Sequence, residues 1–240
     1  MQLPRRRPRQ GSFQSGPAPA GGLRVLFLGS SLTYANDMPH LVAALARAAG
    51  RTLDVAMIAS GGACLEDHWN HGQALRRLRG ERWDFVVLQQ GPSSLPESRE
   101  HLRDYTRRLA EPIRKAGARP ALYMVWPSAD RFAWFDAVRD SYALAAEDVD
   151  GMLIPAGEAW REVWRRDPKV ALLRKDGVHP TPAGSFAVAL SVFGMLCGRS
   201  PVGLPARVRL ANGSHAQLAP DIAPLLQEAA AEANERYGRR

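Results

Sequence analysis

The feature that most constrains this chain is a repeated change of hydrophobic period along it. Short apolar runs at 23–28, 52–58, 83–88, 121–125 and 152–155 alternate with longer stretches of helical spacing at 39–49, 65–78, 97–116, 131–147, 156–166, 181–197 and 221–237. Short apolar runs bounded by turn residues read as buried strands, and the longer stretches as helices. Strands that alternate with helices almost without exception are parallel strands joined by helical crossovers. The expected fold class is therefore α/β, a three-layer α/β/α sandwich. The last helix, 221–237, suits packing on the domain or on a second subunit. The stretch 200–218 reads as irregular.

The strands end in a telling way. Small or polar residues follow the apolar runs: Gly29-Ser30-Ser31, Ser60-Gly61-Gly62, Gln89-Gln90-Gly91 and Trp126-Pro127-Ser128. In open parallel sheets ligands bind outside the carboxyl ends of the strands, so these four loops are where chemistry is expected.

Composition narrows the function classes. The chain has 240 residues, enough for one domain with a core that needs no disulfide or metal staple. Cys64 and Cys197 are its two cysteines, which excludes a disulfide framework and a four-cysteine zinc site. No apolar run approaches the ~18 residues of a membrane span, so no membrane partner is expected. The net charge is +8, and four of the positive charges, Arg5, Arg6, Arg7 and Arg9, lie in the first ten residues. The Pro-, Gly- and Arg-rich segment 1–22 has too few apolar residues to offset its ordering entropy and reads as a disordered tail before a domain at 23–240. No apolar stretch follows the arginines, so they do not read as an export signal, and a cytoplasmic location is expected. The remaining arginines are scattered, without an aromatic-rich basic stripe. They read as solvated helix faces, not as a nucleic-acid surface.

Two motifs carry chemistry. Ser31, after the first strand, sits where the chain turns toward a helix. A serine there is either a helix cap or a nucleophile beside N–H groups that favour developing negative charge. Asp176-Gly177-Val178-His179-Pro180 places a carboxylate three residues before an imidazole across a Gly turn. A short turn folds Asp176 back onto Nδ1 of His179 and leaves Nε2 to take a proton from a serine. Alone, each motif reads as turn and cap chemistry. Together they read as a nucleophile, a base and an orienting acid.

The combination resembles the SGNH (GDSL-type) hydrolase superfamily over about 23–198. Gly29-Ser30-Ser31-Leu32-Thr33 is similar to the family's first block, Gly-Asp-Ser-Leu, with Ser30 in place of Asp. The segment 176–180 is similar to its last block, Asp-x-x-His-Pro. The resemblance implies a five-stranded parallel sheet in flavodoxin-like order, with Ser31 as nucleophile, His179 as general base and acid, and Asp176 as orienting carboxylate. The middle blocks depart from the pattern. The family's second-block Gly, a backbone oxyanion donor, corresponds to Gly62, with Gly61 next and Ala59 also within the spacing. The third-block Asn has no counterpart; Ser93 takes its place if Gly91 is aligned, and Gln89 or Gln90 offers an alternative side-chain amide. Val-Val-Leu-Gln at 86–89, with Gly-Gly-Ala-x-Leu-Glu-Asp-His-Trp at 61–69, is similar to a poorly characterised branch of the superfamily.

The expected function is hydrolysis of short-chain acyl esters, including carbohydrate O-acetyl esters, through an acyl-enzyme that needs no metal or organic cofactor. The alternative is a non-catalytic carbohydrate-binding protein whose oxyanion hole is impaired by the missing Asn. Other residues read as structural. His68 and His71 lie three apart on a helix with no third ligand in view, so they read as packing residues. His40, His101 and His215 read as surface residues, Cys64 as a small buried thiol, and Glu158 as a carboxylate at a helix N-terminus.

Overall fold

A computed structural model of the chain describes residues 10–13 and 21–239. The main sheet has six strands: β1 (Gln10–Phe13), β2 (Leu23–Gly29), β3 (Leu53–Ser60), β4 (Phe85–Leu88), β5 (Arg119–Tyr123) and β6 (Met152–Ile154). Their spatial order is β1-β3-β2-β4-β5-β6. The five strands from β2 to β6 are parallel, in the expected flavodoxin-like order, and β1 adds an antiparallel edge along β3. The segment 1–22 expected as a tail lies mostly outside the described residues. Within it, Gln10–Phe13 form β1 opposite Met57 to Ser60.

The helices are α1 (Ser31–Tyr34), α2 (Met38–Ala48), α3 (Leu65–Asn70), α4 (Gln73–Gly80), α5 (Pro96–Lys115), α6 (Phe135–Glu147), α7 (Ala156–Arg166), α8 (Pro182–Cys197) and α9 (Ala223–Tyr237), with 3-10 turns at Ala35–Asp37 and Ala129–Trp134. Helices α2, α7, α8 and α9 pack together, and α3 to α6 form the second layer. Both faces of the sheet are thereby covered, and this is why its central strands read as unbroken apolar runs. Val25 to Leu28 and Val86 to Leu88 are buried, as are Ala121 to Tyr123. Helix α8 is buried on every side from Gly184 to Cys197, because α2, α7 and α9 surround it. Helix α9 packs on α7 and α8 of the same chain.

Three local expectations change. The helix expected over 65–78 is two helices, broken where Gly72 takes the left-handed φ of 67°. The fourth strand starts two residues earlier and stops at Tyr123. The stretch 200–218 holds a small antiparallel pair, β7 (Arg207–Arg209) and β8 (His215–Gln217). Among the described residues, no helix is long and apolar enough to cross a membrane.

Parallel pairing brings the carboxyl ends of the strands to one rim. Leu28 lies opposite Ile58 on β3 and Leu88 on β4, and Gly29 lies opposite Ala59. The loops after β2, β3 and β4 therefore leave the sheet side by side.

Candidate active site

The chain turns sharply after β2. Ser30 is the N-cap of α1, and its Oγ accepts the N–H of Leu32. The turn is held from β4 by one buried side chain, Gln89. Its Oε1 accepts from Ser30 N at 2.8 Å, Ser30 Oγ at 3.1 Å and Thr33 Oγ1 at 2.7 Å. Its Nε2 donates to the Gln90 carbonyl at 2.7 Å. The Gln89 oxygen is thus committed to the turn and its NH2 group is tied to the neighbouring carbonyl. His68 braces the same turn from α3, its Nε2 lying 2.9 Å from the Gly29 carbonyl. A carbonyl only accepts, so Nε2 carries the proton. Burial pushes the imidazole pKa down and favours this neutral form.

Gly29 is where this network and the backbone meet. A Cβ there would lie 2.1 Å from Thr33 Oγ1 and 2.6 Å from Gln89 Oε1. Gly29→Ala must push Gln89 and Thr33 apart and displace Ser31 with them. We expect overpacking to cost about 1–3 kcal/mol in denaturant unfolding. If Ser31 is the nucleophile, kcat/KM falls about 10²-fold, as for reacting groups displaced by about 1 Å.

Ser31, the first residue of α1, meets the other motif across the rim. Its Oγ lies 2.9 Å from Nε2 of His179, and Nδ1 of His179 lies 2.9 Å from Oδ2 of Asp176. The other carboxylate oxygen, Oδ1, accepts the backbone N–H groups of Val178 and His179, each at 2.9 Å. These N–H donors, with the imidazole after them, hold the Asp176 carboxyl down at about 2. The structure therefore brings together the three residues that sequence reasoning singled out, over 148 positions of chain between Ser31 and His179.

What holds the two motifs together was not read from the sequence. Asn36, in the left-handed region at φ 53°, donates from Nδ2 to the carbonyls of Pro180 and Thr181, both at 3.1 Å, and to Ser185 Oγ at 2.8 Å. Its Oδ1 accepts from Arg174 Nη2 at 3.0 Å. Arg174 also donates from Nε to the Pro180 carbonyl at 2.9 Å. From the other side, Trp126 Nε1 donates to the Val178 carbonyl at 3.0 Å, and Ala129 N to that of Gly177 at 2.9 Å. Asn36→Gly removes the clamp without adding left-handed strain. We expect a loss of about 1–3 kcal/mol in unfolding free energy. If His179 acts on Ser31, kcat/KM should drop about 10-fold or more, since the imidazole loop is no longer tied to α1.

The remaining predicted residues surround this centre. Gly61 and Gly62 form the exposed turn after β3, with Gly62 at φ 75°. Gln90 is buried; its Nε2 donates to Ser93 Oγ at 2.9 Å, and its Oε1 accepts from Leu65 N at 3.2 Å. Ser93 Oγ donates in turn to the Gly91 carbonyl at 3.1 Å. All three expected side-chain donors, Gln89, Gln90 and Ser93, thus have partners inside the protein. Beside the centre lies a cavity of about 310 Å³, lined by Leu32, Ser93, Leu95, Trp126, Arg131 and Val178 among others. It touches the neighbours of both Ser31 and His179. His71 lines a separate small cavity with His68, and no metal cluster among the described residues includes either.

No family model matches the chain, and no curated protein matches it. Solved structures do. A candidate SGNH hydrolase from Slackia heliotrinireducens is 30% identical, covering 73% of this chain and 99% of its own, with a TM-score of 0.61. A DUF4886 family protein from Bacteroides uniformis is 21% identical over 90% of this chain and 95% of its own, with a TM-score of 0.74. Axe2, an acetyl xylan esterase from Geobacillus stearothermophilus, shares the fold at 15% identity, covering 74% of this chain and 94% of its own, with a TM-score of 0.54. An α/β sandwich with serine, imidazole and carboxylate in series at its rim is the architecture of a hydrolase of the esterase kind. The chain belongs to the SGNH hydrolases.

Proposed function

We propose that the chain is a serine esterase that hydrolyses short-chain acyl esters through an acyl-enzyme. The observation that carries this reading is the hydrogen-bond series from Ser31 Oγ through both ring nitrogens of His179 to Asp176, with 2.9 Å at each step. His179 Nε2 takes the Ser31 proton as Oγ attacks the ester carbonyl carbon. The imidazolium then protonates the leaving alkoxide as the C–O bond breaks. Water, activated by the same nitrogen, releases the acid and restores Ser31. Asp176 stays anionic throughout and holds Nδ1–H.

The tetrahedral oxyanion needs donors about 2.7–3.1 Å away. We assign this role to the backbone N–H groups of Ser31 and Gly62, with Gly61 next. Gln89 Oε1 accepts from the Ser30–Thr33 turn and its Nε2 donates to the Gln90 carbonyl, so in this reading it positions the nucleophile instead of touching the substrate. Backbone donors suffice without the family's Asn, and this favours an esterase over a non-catalytic binder. The cavity beside Leu32 and Val178 lies at the small end of the ~300–1,000 Å³ range of ligand sites. Its apolar walls suit a short acyl group, and the alcohol portion faces the open rim. Carbohydrate O-acetyl esters are the class we place first.

The test is hydrolysis of p-nitrophenyl acetate and acetylated sugars by wild type and by Ser31→Ala. Turnover in wild type that the variant lacks supports the reading. No turnover by wild type with short acyl chains between about pH 6 and 9 would overturn it.

A further inference from the structure

Away from Ser31, one group of side chains has donor atoms gathered around a common point. Cys64 Sγ, a Glu66 carboxylate oxygen and a His101 ring nitrogen all lie within 4.8 Å of one another. They come from the N-cap and first turn of α3 and from the second turn of α5, two elements in contact. Sequence spacing does not reveal them, because His101 lies 35 residues beyond Glu66. Read from sequence as a surface residue, His101 is in fact only one-third exposed.

The donors are held as well as near. Tyr105 Oη donates to Glu66 Oε1 at 2.6 Å, which orients the carboxylate and leaves Oε2 toward His101 Nε2 at 3.1 Å. The His101 ring packs on Tyr105, one helical turn on, with centroids 4.8 Å apart. Asp67 Oδ2 accepts both the Cys64 N–H, at 2.9 Å, and its thiol, at 3.2 Å. A hydrogen bond accounts for His101 and Glu66, and a capping box at the start of α3 accounts for Cys64 and Asp67. Neither requires the thiol, the carboxylate and the imidazole to converge on one point, as they do.

We infer that Cys64, Glu66 and His101 form a binding site for one divalent transition-metal ion of the zinc class. Thiolate, imidazole and carboxylate are the donors such an ion prefers, and three protein ligands leave a fourth position for water. Metal–ligand bonds of ~2.0–2.3 Å at tetrahedral angles put donor atoms about 3.3–3.6 Å apart. The Glu66–His101 edge is already near that length, and side-chain shifts of about 1 Å close the site on Cys64. On binding, the thiol gives up its proton to solvent, His101 vacates Nε2 and keeps its ring proton on Nδ1, and Asp67 keeps its bond to the Cys64 N–H. Tyr105 remains the partner that orients the Glu66 carboxylate. The ion ties the start of α3, which directly follows the Gly61-Gly62 turn, to α5. Its role is to brace that loop, and the inference does not depend on the esterase reading.

The experiment is titration of the metal-free full chain with Zn²⁺, followed by calorimetry and metal analysis, and with Co²⁺, followed by near-ultraviolet absorption. Expected are one ion per chain with a Kd of about 10 µM or tighter, a thiolate-to-cobalt charge-transfer band and a higher Tm with zinc. Cys64→Ser keeps a capping hydroxyl at the α3 N-terminus, so that helix should still form. It should abolish the band and weaken zinc at least about 10-fold, and His101→Gln should weaken zinc similarly. His179→Ala and His71→Ala should leave binding unchanged. The inference is overturned if no ion binds at about 100 µM, or if binding survives both Cys64→Ser and His101→Gln.

Discussion

Ser31→Ala is expected to lower kcat for p-nitrophenyl acetate by about 10⁴–10⁶-fold while leaving the melting temperature close to wild type. The size follows from how such centres work. Nucleophile and base act as one unit, so removing either costs nearly as much as removing both. Ser31→Ala, His179→Ala and the double variant should therefore converge on similar residual rates. Stability should hold because neither Ser31 Oγ nor the imidazole carries the turn. The cap on α1 is Ser30 Oγ, and the bonds that fix the turn run from Gln89. Fluorophosphonate labelling reads the same proposal without a guessed substrate. The reagent should attach at Ser31 in wild type and nowhere in Ser31→Ala. Labelling at another serine, or residual rates that multiply instead of converging, would count against this pair.

The fold was legible because its signal is local and repeated. Five short apolar runs bounded by turn residues read as buried strands, and the helices between them imply parallel crossovers. The same local signals carried the centre of the site. Asp176 and His179 are three residues apart, so a Gly turn brings them together with no help from tertiary structure. Ser31 follows a strand whose position in the sheet the alternation already implies.

The parts that were not legible are those made by distance. Asn36 meets Pro180 and Ser185 across more than 140 residues, and no periodicity or motif announces a left-handed Asn that clamps two loops. Gln89 was visible as a polar residue at a strand end, which fits an oxyanion donor as well as a turn anchor. Its Oε1 takes three long-range bonds from the turn and its Nε2 donates to the Gln90 carbonyl, and these contacts favour the anchor. The break at Gly72 was hidden for another reason. One glycine within a helical pattern is tolerated in many helices, and it is the left-handed φ that ends this one.

Asp176→Asn tests the carboxylate and the pH dependence together. An Asn here can keep Oδ1 on the N–H groups of Val178 and His179, so the loop should stay folded. Its Nδ2 then faces Nδ1 of His179, and a donor opposite a donor forces the ring into the tautomer that puts the proton on Nε2. That nitrogen can no longer accept from Ser31. The expected loss in kcat is about 10³–10⁴-fold near neutral pH. The sign of the pH effect follows from the carboxyl at about 2, below the ordinary carboxylate value of ~3.9. A folded-state value below the unfolded one contributes stability above about pH 4, and that contribution is lost as pH falls toward 2. Acid unfolding of wild type and Asp176→Asn should therefore differ above pH 4 and converge toward pH 2. The same value keeps Asp176 ionised throughout the working range. If His179 is the base, kcat/KM should rise with pH, and Asp176 cannot be the group responsible because it is already ionised. A wild-type profile flat from pH 5 to 8 would remove His179 from the role of base.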